Sequence, residues 1–296
     1  MEKDVINFLK YLKIEKNYSN FTIINYGKDL KIFLQFLKEN NIENYDKIEY
    51  KTIRKFLEYL YDEKYEKKTI ARHISSLRSL FKYLLKENKI KNNPMILISN
   101  PKLDKKLPKY LYYDQMEQIL SIPDKNTPLG MRDLTLLELL YSTGVRVSEL
   151  INIKIEDINF DDKSIRILGK GNKERIVLYS KVLKEYLNDY LKIRSTFNPN
   201  HNYLFINKFG NKLTDRGVRV IIDNILKKGM VSFHISPHMI RHTFATHLLD
   251  NGADLKCVQE LLGHKNLSST QVYTHVSDEH LRKVYLETHN RKFDKN

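Results

Sequence analysis

Three prolines within residues 92–108 (Pro94, Pro101 and Pro108) interrupt a chain that up to that point follows helical periodicity almost throughout. Proline fixes φ, removes a backbone donor and pushes the residue before it toward extended backbone. No regular element therefore runs through the stretch NNPMILISNPKLDKKLP. A chain of 296 residues is long enough to fold as two units, and this break marks where they divide. We place a first domain at residues 1–93, a linker at 94–108 and a second domain at 109–296.

Apolar spacing in the first domain predicts helices near 4–15, 20–40, 50–62 and 67–88, joined by polar turns such as Asn17 to Asn20 and Asn41 to Asn44. In the fourth helix, a rotation of about 100° per residue brings Lys68, Arg72, Ser75, Ser79, Lys82 and Lys86 onto one side. Ile70, Ile74, Leu77, Phe81 and Leu84 take the opposite side. One face is thus fit for burial, while the other offers cations and hydroxyls. From Lys64 to Lys91 there are nine basic and two acidic residues, and few of the cations have a glutamate four positions away. The net charge of +15 attracts polyanions, although an AT-biased coding sequence would also raise lysine. Concentration of the charge on one helix face favours a DNA backbone over a merely solvated surface. The six residues of that face are assigned to DNA binding.

Beyond the linker, helices are predicted near 113–121, 129–143, 181–194, 214–228, 237–250, 254–262, 268–275 and 278–288. Ser164 to Leu168 and Arg175 to Leu178 are short β-prone runs flanking Gly169-Lys170-Gly171-Asn172, which reads as a hairpin turn. The fold class is therefore mainly α with one small antiparallel β-sheet.

Four segments of the second domain hold side chains suited to chemistry. In Gly144-Val145-Arg146-Val147-Ser148-Glu149, a helix-ending glycine precedes an arginine at the start of the next helix. Arg146 there can meet an oxyanion or pair with Glu149. Lys170, at the hairpin tip with Lys173 nearby, can act as a proton donor or a phosphate contact. In Ser236-Pro237-His238-Met239-Ile240-Arg241, Ser236 is an N-cap and Pro237 the first helical residue. His238 and Arg241, three apart, then share one face of the first turn, whereas His242 and His247 read as packing residues. Finally, Gly263-His264 ends one helix and Tyr273 lies in the next. Two arginines, two histidines, a lysine and a tyrosine are what metal-independent phosphoryl transfer requires: cations for the non-bridging oxygens, groups that move protons, and an oxygen nucleophile.

Other classes fit less well. A single cysteine, Cys257, excludes an internal disulfide framework and a cysteine-based zinc site, so no metal and no cofactor are expected. No apolar run approaches the ~20 residues of a membrane span, and the charged start MEKDVINFLKYLK lacks the apolar core of a secretory signal. A cytoplasmic protein without membrane contact is expected.

The motifs TGVRVSEL, LGKGNKER, SPHMIRHTFATHLL and LLGHKNLSSTQVYTHV, in this order and spacing, resemble those of the tyrosine recombinases (the phage integrase family), and within them the bacterial Xer-type recombinases. Thr22 to Leu30 followed by Phe33 is similar to the start of that family's core-binding domain. The resemblance spans essentially the whole chain. It implies a helical, SAM-like core-binding domain followed by a catalytic domain, closing as a clamp over duplex DNA.

The resemblance also implies roles. Tyr273 would attack the scissile phosphate to give a 3′-phosphotyrosyl link. Arg146, Arg241 and His264 would stabilise the phosphoryl charge, Lys170 would protonate the departing 5′ oxygen, and His238 would accept or orient the tyrosine proton. Lys173 joins the DNA-binding set. The expected partners are double-stranded DNA with a specific recombination site, a homo-tetramer or a hetero-tetramer with a second recombinase, and a septal DNA translocase as activator. The terminal helix, with Leu281, Val284, Tyr285 and Leu286, would dock on a neighbouring protomer, packing in cis being the alternative. Resolution of chromosome dimers through a Holliday junction is the expected task. A mobile-element integrase, a non-catalytic DNA-binding protein and a strand-nicking topoisomerase-like enzyme are the alternatives.

Overall fold

The computed structural model describes residues 1–101, 110–169, 174–263 and 278–289. The chain divides into two compact units, Met1–Lys106 and Leu107–Asn296. In the first, α1 (Glu2–Ile14), α2 (Asn20–Glu39), α3 (Tyr50–Asp62) and α4 (Lys67–Lys86) follow the apolar spacing closely. The turns between them use left-handed asparagines, Asn17 and Asn41, a conformation this side chain tolerates better than most. Ser19 caps α2 by accepting the Thr22 amide. The core is aromatic, with Phe8, Phe33, Phe56 and Phe81 buried and the Phe33 and Phe56 rings meeting edge to face at 4.9 Å.

The second unit is built around α6 (Pro128–Thr143). Thirteen of its sixteen residues are buried, Arg132 and Glu138 among them, so it is covered on nearly every side. It packs against α5 (Tyr113–Ser121), α8 (Lys181–Arg194) and α10 (Pro237–Asp250). A short α7 (Val147–Leu150) follows α6, and α9 (Asp215–Lys228) packs against α7. The sheet has three antiparallel strands in the order β1 (Ile158–Asn159), β2 (Ser164–Leu168), β3 (Glu174–Leu178). Ile165 opposes Val177, and both are buried beside Ile167. The two-residue β1 was not expected, because a strand that short has no periodicity to read.

After α10, α11 (Leu255–Leu262) and α12 (Asp278–Thr288) complete the described residues. The helix expected near 268–275 lies outside them. α12 packs in cis on α10 and α11. Tyr285 is buried with Phe244, Leu248 and Leu261, and its hydroxyl donates to the Ser142 carbonyl at 3.0 Å. The Asn251 amide holds the Thr288 carbonyl at 2.5 Å. Within one chain, the apolar side of α10 and α11 accepts the Tyr285 face, which is the cis packing that the sequence offered as the alternative to docking on a neighbour. Leu286, grouped with that face in the sequence, is exposed.

Gly144 ends α6 in the left-handed region at φ 60°. A Cβ there would lie 2.4 Å from the buried Phe244 ring and 2.9 Å from Leu262. Gly144→Ala is therefore expected to destabilise the protein by about 2–3 kcal/mol, combining overpacking with left-handed strain, as read from the denaturant midpoint.

Candidate active site

Arg146 is the N-cap residue of α7, just past the Gly144 turn. Its amide and its guanidinium both donate to Glu149, each at 2.8 Å. The sequence left two readings open, an oxyanion contact or a pair with Glu149, and the pair is present. It does not use up the arginine, whose side chain remains 38% exposed. Glu149, at 4% exposure, also accepts two bonds from Arg175, at 2.9 and 2.8 Å. Burial by itself raises the Glu149 carboxyl, but the bonds from Arg175 and from the Arg146 amide outweigh it and hold it at about 2.

Arg241 projects from the first turn of α10, where Ser236 caps the helix and Pro237 opens it as expected. It is buried and donates to the Gly144 carbonyl at 2.5 Å and to the Leu262 carbonyl at 2.7 Å. Both acceptors stand at helix C-termini, α6 and α11, where the macrodipole favours a cation. Burial, and then the nearby Arg146, lower Arg241 to about 10, so it stays charged at neutral pH. The Gly263 turn after α11, left-handed at φ 65°, packs against the Arg175 side chain.

Two guanidiniums, from Arg146 and Arg175, thus meet on one buried carboxylate, and a third, Arg241, is held nearby by two main-chain carbonyls. Such a site can bind a tetrahedral oxyanion with preorganised charge-assisted donors. His238 is exposed on the same first turn of α10. His247, by contrast, is a packing residue: one ring nitrogen meets Tyr141 Oη at 2.8 Å, the other meets the Leu111 carbonyl at 2.8 Å, and the ring stacks on Tyr113. Lys170, Lys173, His264 and Tyr273 lie outside the described residues.

Arg175 was missed by motif reading. The signal was available in the strand alternation, since Arg175 and Val177 share the inward face of β3, where an arginine needs a buried anion.

In the first unit, α4 turns Ile70, Ile74, Leu77, Phe81 and Leu84 inward, while Lys68, Lys82 and Lys86 are exposed. Arg72 is not a free cation of that face. It pairs with the buried Asp29 of α2, whose carboxyl burial pushes up to about 6 against the pull of Arg72. His73 sits 3.4 Å from Asp29. Burial, followed by Arg72, lowers its pKa to about 4, so at neutral pH this contact is not an ion pair. Ser75 returns its hydroxyl to the Ala71 carbonyl. Ser79, Lys82 and Lys86 line a groove of about 440 Å³ with Tyr11, Lys16 and Tyr18. Lys86 lies 5.0 Å above the Tyr11 ring, and Lys16 lies 5.7 Å from it. Lys16 and Tyr18 were overlooked because they belong to the α1–α2 turn, which the pattern of a single helix cannot include.

Among the described residues, Asp254, Cys257 and His280 place donor atoms within 4.8 Å of one another. The Asp254 carboxylate caps α11 by accepting the Cys257 amide at 2.9 Å, and burial together with Asp254 pushes the Cys257 thiol up to about 12. That donor set suits helix capping better than a metal ion. Among the described residues no helix is long and apolar enough to cross a membrane.

Residues 109–280 match the phage integrase family, and residues 5–88 match the N-terminal SAM-like domain of phage integrases. The chain is 46% identical over 289 residues to the tyrosine recombinase XerC of Anoxybacillus flavithermus, covering 96% of each chain. It is 44% identical over 295 residues to the XerC of Bacillus subtilis, covering 98% of this chain and 97% of the relative. Among solved structures, the XerH site-specific recombinase in its post-cleavage complex with a palindromic difH substrate aligns with a TM-score of 0.72 at 25% identity. That alignment covers 97% of this chain and 82% of the XerH chain.

Folded Glu149 titrates near 2, below its ordinary 4.5, so the stability it confers is present above about pH 4.5 and is lost as pH falls toward 2. Glu149→Gln removes the buried anion on which the partly exposed Arg146 and Arg175 converge and is expected to cost about 3 kcal/mol at pH 7. Urea unfolding across pH should show this difference shrinking below about pH 4.5.

Proposed function

The chain belongs to the phage integrase family and is a tyrosine recombinase, an enzyme that breaks and rejoins DNA strands, and from this premise we propose that Tyr273 is its nucleophile. The observation that carries the reading is the convergence of Arg146 and Arg241 on the Glu149 carboxylate and two helix C-termini. That arrangement supports a pair of fixed cations for the two non-bridging oxygens of a phosphodiester.

The Tyr273 oxygen attacks the scissile phosphorus, the bond to the 5′ oxygen breaks, and a 3′-phosphotyrosyl ester remains. Arg146, Arg241 and His264 carry the charge of the pentacoordinate transition state. Lys170 supplies the proton to the departing 5′ oxygen, and His238 accepts or orients the tyrosine proton. Because the ester conserves the energy of the broken bond, the 5′-hydroxyl of a partner strand reverses the step without ATP, metal or other cofactor.

Domain boundaries at 1–93, 94–108 and 109–296 assign DNA docking to the first domain and chemistry to the second. Lys68, Lys82 and Lys86, with Lys16 and Lys173, contact the phosphate backbone. Ser75 and Ser79 flank them, and Arg72 supports this face through Asp29. The XerC relatives and the substrate-bound XerH support a duplex recombination site as substrate and chromosome dimer resolution as the task. Assembly as a tetramer on paired sites, with a second recombinase of the same family completing it, is part of the same proposal. A septal DNA translocase is the proposed activator and the cytoplasm the place of action.

A nicked suicide duplex carrying the recombination site should trap wild-type protein as a covalent adduct, while Tyr273→Phe yields none. An adduct from the phenylalanine variant would assign the nucleophile elsewhere. Replacing Lys82 and Lys86 with alanine should weaken binding on all sequences alike and lower the slope of log K against log salt by about two, as measured by fluorescence anisotropy.

A further inference from the structure

Arg175 is the side chain that links three parts of the site, and the assigned reaction gives it no role. It leaves β3 on the inward face, five residues after Lys170 in the chain. Its two terminal nitrogens form a parallel fork on Glu149, at 2.9 and 2.8 Å. Glu149 in turn holds the amide and the guanidinium of Arg146. On its other side, Arg175 fills the space beside Gly263. A Cβ at that position would lie 2.9 Å from its Cδ and 3.0 Å from its Nε. Gly263 is also the residue immediately before His264. The side chain is 18% exposed, and its Nε is buried with no partner among the described residues.

We propose that Arg175 is a positioning residue for strand cleavage, keeping the Arg146 turn, the Gly263 turn and the base of the Lys170 hairpin in one register. This rests on the reading of Arg146 as a phosphate-binding cation. Glu149 alone cannot fix that cation. Without Arg175 both of its oxygens are held only by Arg146 itself, one by the amide and one by the guanidinium, so the carboxylate has no anchor outside the turn it positions. The bidentate grip of Arg175 satisfies both carboxylate oxygens and sets their plane, so Arg146 meets a fixed anion. Lysine at this position would keep the charge and lose the fork. The contact with Gly263 extends the same constraint to the segment leading to His264. Misplacement of reacting groups by about 1 Å costs ~10²-fold in rate, so a side chain that acts only through others can still govern the chemical step.

The test uses the full-length protein and single-turnover adduct formation on the nicked duplex at saturating enzyme. Arg175→Lys is expected to slow adduct formation by about 10- to 100-fold, with the Kd for the same duplex within about twofold of wild type. A second duplex carries a methylphosphonate at the scissile position, which leaves less charge for Arg146 to neutralise. On it, the penalty of Arg175→Lys should shrink to within about threefold. A wild-type rate for Arg175→Lys overturns the proposal, and so does an equal penalty on both duplexes, which would assign Arg175 to packing. Tyr273→Phe run in parallel separates the two claims: an adduct from that variant sinks the nucleophile assignment whatever Arg175→Lys does. Arg175→Ala is the harsher variant, and if it does not fold, Arg175→Lys decides the matter.

Discussion

Like charges do not gather unaided, and the second unit brings two guanidiniums, Arg146 and Arg175, together by placing one buried carboxylate between them. Glu149 carries this burden. Three charge-assisted bonds from side chains and one from the Arg146 amide offset the cost of taking it out of water, and its ionised state is what lets Arg146 and Arg175 approach each other. The surrounding fold serves the same end. α6 ends at Gly144 so that the chain can turn directly into Arg146, and β3 points Arg175 inward at the matching height.

Much of this was legible in the sequence because the relevant physics is local. Ser236 and Pro237 announced the start of α10, Gly144 and Gly263 announced left-handed helix ends, and the apolar stripe of α4 gave its buried side. What escaped notice depends on residues far apart in the chain. Asp29 claims Arg72 from another helix, and Glu149 claims Arg175 from a strand beyond the next turn. Neither pairing leaves a mark at helical or strand spacing. The cis seat of Tyr285 was equally invisible, since an apolar helix face states that it needs cover and not what covers it.

The first unit applies the same device more sparingly. Its basic helix holds one cation by a buried carboxylate, while Lys86 lies between the Tyr11 ring and the exposed Glu15 carboxylate. An anchored arginine and a snorkelling lysine answer a phosphate differently. The first offers a fixed direction, and the second offers reach at an entropic cost.

Arg241 is held by main-chain oxygens, those of Gly144 and Leu262, and not by side chains. Peptide dipoles locked in helices do not swing when an anion arrives. The solvent-like rearrangement that normally accompanies the arrival of an anion in water is therefore already complete around this cation, and little reorganisation is left for an oxyanion that comes to rest beside it.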